Sequence, residues 1–137
     1  MGFERLILRI SVDVNPTEDP GKVQVAVEKI FGKIPLRIVT EEGRSRLTGE
    51  FEGREALLRF HDLLRREQIL DAARGVLLKG IQGNTICFCL NKQVAYVGHV
   101  SFSQSIGESP LGPIRVEIES DNPRAVIDWL APKTCRT

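Results

Sequence analysis

The sequence predicts an α+β fold, a mostly antiparallel sheet with helices packed on one face. Three observations carry this expectation. Runs with period-two alternation come in groups joined by short turns. Runs with helical spacing fall between those groups instead of after every strand. The chain has 137 residues and no internal repeat or low-complexity segment, so one domain, 1–137, can bury a core without disulfides or metal.

The elements follow in order. Over residues 4–14, Leu6, Leu8, Ile10, Val12 and Val14 share one face, and Arg5, Arg9, Ser11 and Asp13 lie mainly on the other. That is a half-buried strand. Asn15 to Pro20 turns into a helix, with Asp19 as cap and Pro20 at its first position. Val23, Ala26, Val27, Ile30 and Phe31 recur at helical spacing up to a stop at Gly32. Residues 34–40 and 44–52 read as a hairpin around Glu41-Glu42-Gly43, with Arg44, Arg46, Thr48 and Glu50 on one face. Residues 54–79 are helical by pattern, in two apolar stripes. The polar block Arg65-Arg66-Glu67-Gln68 between them predicts a bend or a break.

The stretch Thr85–Phe102 reads as a second hairpin. Ile86, Phe88 and Leu90 face one way, and Thr85, Cys87 and Cys89 the other. After a polar tip at Asn91-Lys92-Gln93, a returning strand carries Val94, Tyr96, Val100 and Phe102 on one face. Ser103–Pro113 is a loop, and Ile114, Val116 and Ile118 alternate with Arg115, Glu117 and Glu119 in a last strand. Asp121-Asn122-Pro123 starts a short helix that Pro132 ends.

Composition narrows the function classes. Hydrophobic residues make 42% and charged residues 27% of the chain, ordinary for a soluble domain. No apolar run is long enough to span a membrane, and the start lacks a signal-peptide layout, so a cytoplasmic protein is expected. Nineteen basic residues face eighteen acidic ones, a net charge of +1 with the signs interleaved. A dedicated nucleic-acid binder usually shows a basic excess. Yet 13 of the 19 basic residues are Arg, the better fork for phosphates and for carboxylates alike. Cys87, Cys89 and Cys135 do not make a disulfide framework, since Cys87 and Cys89 in one strand would stand roughly 6.5–7 Å apart.

Candidate chemistry is sparse. His99, set in a strand near Cys87 and Cys89, could form a thiol–imidazole pair. Free strand cysteines, however, are usually small core hydrophobes. The same three residues would need a fourth ligand for zinc, and Cys-x-Cys lacks the usual spacing. His61 sits on an apolar helix stripe and reads as structural. No phosphate-cradling glycine motif and no cofactor motif occurs, so no catalytic, cofactor or metal residue is assigned. The candidate RNA contacts are Arg44 and Arg46, two apart on one strand face, with Lys92 and Gln93 at the hairpin tip. The plain alternative pairs Arg44 and Arg46 with Glu50, Glu52 or Glu117 across the sheet. The face opposite the helices would carry Arg9, Asp13, Arg46, Thr48, Glu117 and Glu119 beside Ile7, Val39, Cys87, Cys89, Ala95 and Val97. That mixture suggests cover by another subunit, most simply in a homodimer.

Three separated segments resemble a known family. Asn91-Lys92-Gln93-Val94-Ala95-Tyr96-Val97-Gly98-His99-Val100-Ser101-Phe102, Ile69-Leu70-Asp71-Ala72-Ala73-Arg74 and Trp129-Leu130-Ala131-Pro132-Lys133-Thr134 look like an archaeal group, uncharacterised protein family 0201. Val94 stands where such proteins usually have Ala. The resemblance implies a fold similar to the ribosomal large-subunit protein that binds 5S RNA, a dimer, and RNA binding without catalytic residues. The expected function is a non-enzymatic binding or scaffolding role, with RNA as a candidate partner beside a second copy of the chain. The alternatives are a protein-interaction module without RNA, or an enzyme using Cys87, Cys89 and His99.

Overall fold

The computed structural model describes residues 2–103 and 113–133. They form seven strands and five helices in one mostly antiparallel sheet. Strand β1 (Leu6–Val14) lies centrally, between β3 (Arg44–Glu52) and β7 (Pro113–Ser120). Beyond β3 lies β2 (Arg37–Glu41), the strand at that edge of the sheet. Beyond β7 lies β5 (Thr85–Asn91), whose outer edge holds two short pieces, β4 (Ile81–Gln82) and β6 (Phe102–Ser103).

Period-two alternation sorts the sheet into two faces. Leu8, Ile10, Val12, Ile86, Phe88, Leu90, Ile114, Val116 and Ile118 are buried on the inner one. Five helices supply the matching apolar surface. Helix α1 (Pro20–Phe31) starts as expected: Asp19 accepts from the Gly21 N–H at 2.9 Å, Pro20 opens the first turn, and Gly32 closes the last. The expected break in the long helical region is also present, between α2 (Glu55–Arg66) and α3 (Leu70–Lys79). Gln68 takes a left-handed φ of 56° there, which ends the helical path. Phe60 of α2 sits at the core's centre, 5.4 Å from the Phe31 ring and 5.7 Å from Phe88. Helix α5 (Pro123–Leu130) closes the layer. Arg65 donates to the carbonyls of Trp129 and Leu130, both at 3.2 Å, so the polar break also anchors the last helix. His61 is structural as expected, stacked on Trp129 at 4.9 Å.

The second hairpin is corrected. Only Thr85–Asn91 is a strand; the chain then forms helix α4 (Lys92–Tyr96) and returns to pair with β5 only at Phe102–Ser103. Asn91 decides this, because its side chain accepts from the Val94 N–H at 3.0 Å and starts a helical turn. Alternating apolar residues over so short a run do not distinguish a strand from one helical turn and a loop. Lys92 is therefore not at a tip. The expected loop Ser103–Pro113 falls mostly outside the described residues, as does Cys135.

Two glycines are required by geometry. Gly43 (φ 77°) and Glu42 (φ 52°) form the two-residue turn between β2 and β3, where both central residues need positive φ. At Gly80 a Cβ would overlap the Cys87 carbonyl oxygen, and the Gly80 carbonyl accepts from the Cys87 N–H at 2.9 Å. Only glycine lets the end of α3 approach the strand so closely.

Candidate nucleic-acid interface

Among the described residues the helices leave the other sheet face open. Its side chains come from alternate residues of five strands, and the register aligns them in rows. Arg37, Thr48, Ser11, Arg115 and Cys89 form one row, from β2 across to β5. Val39, Arg46 and Asp13 form the row beside it. On the other side, Glu50, Arg9, Glu117 and Cys87 form a third row, followed by Glu52, Ile7, Glu119 and Thr85.

Charge is sorted along these rows. Near the β2–β3 turn, Arg37, Arg44, Arg46 and Arg115 stand against Asp13, Glu41 and Glu42. Toward the other end, Glu50, Glu52, Glu117 and Glu119 outnumber Arg5 and Arg9. The acidic end is internally clamped. Arg9 meets Glu50 at 3.2 Å and Glu119 at 3.1 Å, and Arg5 meets Glu119 at 2.9 Å. The bond to Glu119, helped by Glu50 and opposed by some burial, raises the Arg9 pKa further above its ordinary value.

The basic end is looser. Arg46 pairs with Asp13 at 3.5 Å, its direct cross-strand neighbour, and not with Glu50, Glu52 or Glu117. Among the described residues, Arg37, Arg44 and Arg115 have exposed side chains in no ion pair or side-chain hydrogen bond. Two adjoining depressions, of about 600 and about 690 Å³, share Arg46, Thr48 and Arg115 in their linings, with the carboxylates Glu50 and Glu117 in one and Asp13, Glu41 and Glu42 in the other. The hydroxyls of Ser11 and Thr48 stand between the guanidinium groups. This end can accept a run of anionic oxygens, with Arg forks for charge and hydroxyls for hydrogen bonds.

The four candidate contacts do not come together. Arg44 and Arg46 lie on the open face. Lys92 is 4% exposed, its Nζ bonded to the Asp13 carbonyl at 2.7 Å and to Glu18 at 3.0 Å. Gln93 lines a separate groove of about 400 Å³ with Lys22, Val23 and Tyr96, between α1 and α4. Burial pushes the Glu18 carboxyl up, but bonds from Asn15 and Lys92 outweigh it, and the net shift is downward. Sequence reasoning placed Arg37 and Arg115 in strands but not in the site. Alternation showed Arg115 facing outward; only the register sets it in the Arg37 row.

The thiols and histidine also separate. Cys87 and Cys89 face the open side, Cys87 beside Glu117 at 3.8 Å. Burial raises both thiol pKa values; Glu117 adds to the rise at Cys87, while Arg115 opposes it at Cys89. His99 lies after α4, where its Nδ1 meets Glu67 at 3.0 Å; Glu67 also accepts from the Val100 N–H at 3.1 Å. Among the described residues no hydrogen bond joins His99 to either thiol. Ala95 and Val97 are not on the open face: Ala95 is buried within α4, and Val97 follows it in a turn.

A family model described as RNA binding matches residues 7–120, most of the chain and all of the rows above. Relatives agree along nearly its full length. A UPF0201 protein of Metallosphaera sedula is 44% identical over 128 residues, 93% of this chain and 88% of that protein. One of Saccharolobus solfataricus is 46% identical over 125 residues, 91% of this chain and 86% of that protein.

The chain belongs to the archaeal UPF0201 family.

A crystal structure of a UPF0201 protein from Methanococcus jannaschii, 37% identical, superposes with a TM-score of 0.82 and covers 94% of this chain and 95% of that one. The UPF0201 assignment supports the sequence resemblance and the α+β fold. Among the described residues no helix is long and apolar enough to cross a membrane.

Proposed function

We propose that this protein binds RNA without catalysing a reaction on it, through the Arg-bearing end of the open sheet face. One observation carries the reading: Arg37 and Arg115 flank two hydroxyls in a single row, with Arg44 and Arg46 beside them, on a face that no helix among the described residues covers. Neighbouring strands are about 4.8 Å apart, so Arg37 and Arg115 stand roughly 14 Å apart across three strand spacings. That span fits several phosphates of one backbone. The family model's description points the same way, and the family resemblance implies a fold like that of the ribosomal protein that binds 5S RNA. The small net charge fits a local footprint in place of a uniformly basic surface. Cys87, Cys89 and His99 have no catalytic part in this reading, and the protein acts as a homodimer.

Fluorescence anisotropy with a structured RNA, over a series of salt concentrations, tests it. Affinity should fall steeply with salt. The combined substitution Arg44→Ala, Arg46→Ala and Arg115→Ala, which leaves Arg37 in β2 intact, should flatten the log–log slope by about 0.7–0.9 for each phosphate that the variant no longer neutralises. Absence of binding at low salt, or an unchanged slope in the triple variant, would sink the assignment. A protein partner retained after nuclease treatment, with no RNA bound, would favour the interaction-module alternative.

A further inference from the structure

The edge strand β2 is unusual for how little it hides. All five of its residues are exposed, although three of them, Ile38, Val39 and Thr40, are β-branched; Ile38 is 57% and Val39 38% exposed. Natural edge strands are normally blunted by Pro, Lys, a bulge or a covering loop. Strand β2 is short and carries charge only at its ends, Arg37 and Glu41; its Ile38-Val39-Thr40 centre holds no Pro, Lys or bulge, and its register with β3 runs unbroken from Arg37↔Thr48 to Glu41↔Arg44.

We propose that β2 is the docking edge for a second copy of this chain. Two β2 strands pair antiparallel about a twofold axis through Val39, and the sheet continues from one protomer into the other. This specifies the interface of the homodimer named above; Arg37 is shared with the proposed RNA face, whereas Thr40→Pro leaves every Arg in place and so tests the interface apart from RNA binding.

The backbone sets the permitted registers. In a two-residue hairpin the flanking pair, here Glu41 and Arg44, exchanges hydrogen bonds, and bonded and non-bonded pairs then alternate. Arg37, Val39 and Glu41 therefore turn their N–H and C=O groups toward β3. Ile38 and Thr40 turn theirs to the free edge. A twofold pairing must bond outward residues to outward residues. Centred on Val39, it bonds Ile38 to the partner's Thr40, and Thr40 to the partner's Ile38.

Side chains select among those registers. The Val39 centre places Arg37 opposite the partner's Glu41, and by symmetry Glu41 opposite the partner's Arg37. It also sets Val39 against the partner's Val39, a β-branched pair at the closest spacing. A shift of two residues one way puts Arg37 against the partner's Val39. A shift the other way puts it against the partner's Gly43. Either loses both ion pairs. The strand is thus self-complementary in charge at one register, which favours a second copy over an unrelated peptide. The twofold leaves both open faces on the same side, so the two Arg-bearing ends adjoin.

Sedimentation velocity at micromolar concentration tests the interface. The wild-type chain should sediment as a dimer. Thr40→Pro removes an edge-facing N–H but none of the N–H groups that bond β3, so it should sediment as a monomer with an unchanged far-UV spectrum. Arg37→Glu and Glu41→Arg each set like charges opposite one another and should each weaken self-association. Mixed in equal amounts, these two variants should form a heterodimer, because both cross-axis pairs are then opposite in sign. The mixing result decides even where Thr40→Pro disturbs folding. A monomeric wild type would remove both the interface and the homodimer. A dimer that survives in all three variants would remove this interface and leave a homodimer formed elsewhere.

Discussion

The junction around Lys92 and the open face around Arg46 share one residue, Asp13, and use it in opposite ways. The Asp13 carbonyl accepts from the buried Lys92 Nζ at 2.7 Å, while its carboxylate meets Arg46 at 3.5 Å in the open. The Lys92–Glu18 side chains are 4% and 13% exposed, and the Arg46–Asp13 side chains 54% and 47%. Both pairs join a cation to a carboxylate. The buried one ties α4 to the end of β1 and the loop after it, whereas the exposed one joins neighbouring strands already held by their backbone ladder. The exposed one remains available to a ligand. Burial, more than residue type, separates a structural cation from a functional one.

The sharpest way to break the contrast is Lys92→Ala. It leaves Glu18 and the Asp13 carbonyl without their ammonium partner, and thermal or urea unfolding should show a loss of about 3 kcal/mol. Next comes Glu18→Gln, read against pH. The folded-state carboxyl lies below its ordinary 4.5, so its stabilising contribution is present above that value. It is lost as pH falls through the lower folded value. Wild-type stability should drop on acidification below about pH 4.5, and the Gln variant should show a shallower drop at an overall lower stability. A steeper drop in the variant would contradict the sign.

Arg46→Ala should change stability by no more than about 0.5 kcal/mol, because exposed pairs contribute little, while weakening RNA binding. A large stability loss would make the open-face pair structural after all. The smallest effect is expected at the thiols. With their pKa values raised, Cys87 and Cys89 should alkylate slowly at neutral pH and at no cost to RNA affinity. Rapid selective modification of one of them would reopen the enzymatic alternative.

Much of the fold was legible because local rules and the global arrangement agree. The alternation of Leu6 to Val14, the cap at Asp19, the stop at Gly32 and the break at Gln68 are each set by a few neighbouring residues. The segment after Asn91 departs from the expected strand, although Val94, Tyr96, Val100 and Phe102 mimic a strand's spacing. A single capping bond from Asn91 outweighs that pattern over five residues. The candidate site was half legible. Arg44 and Arg46 could be placed on one face from alternation alone, whereas Arg37 and Arg115 join them only through pairings between residues far apart in the chain.

By itself the sequence determined the long elements, the inner faces of β1, β5 and β7 and the start and stop of α1, though not α4, because these depend on periodicity and capping within a turn or two. Tertiary structure decided the strand order, the burial of Lys92, the sorting of charge along the open face and the bareness of β2. Each depends on register and packing between distant segments, which no local spacing encodes.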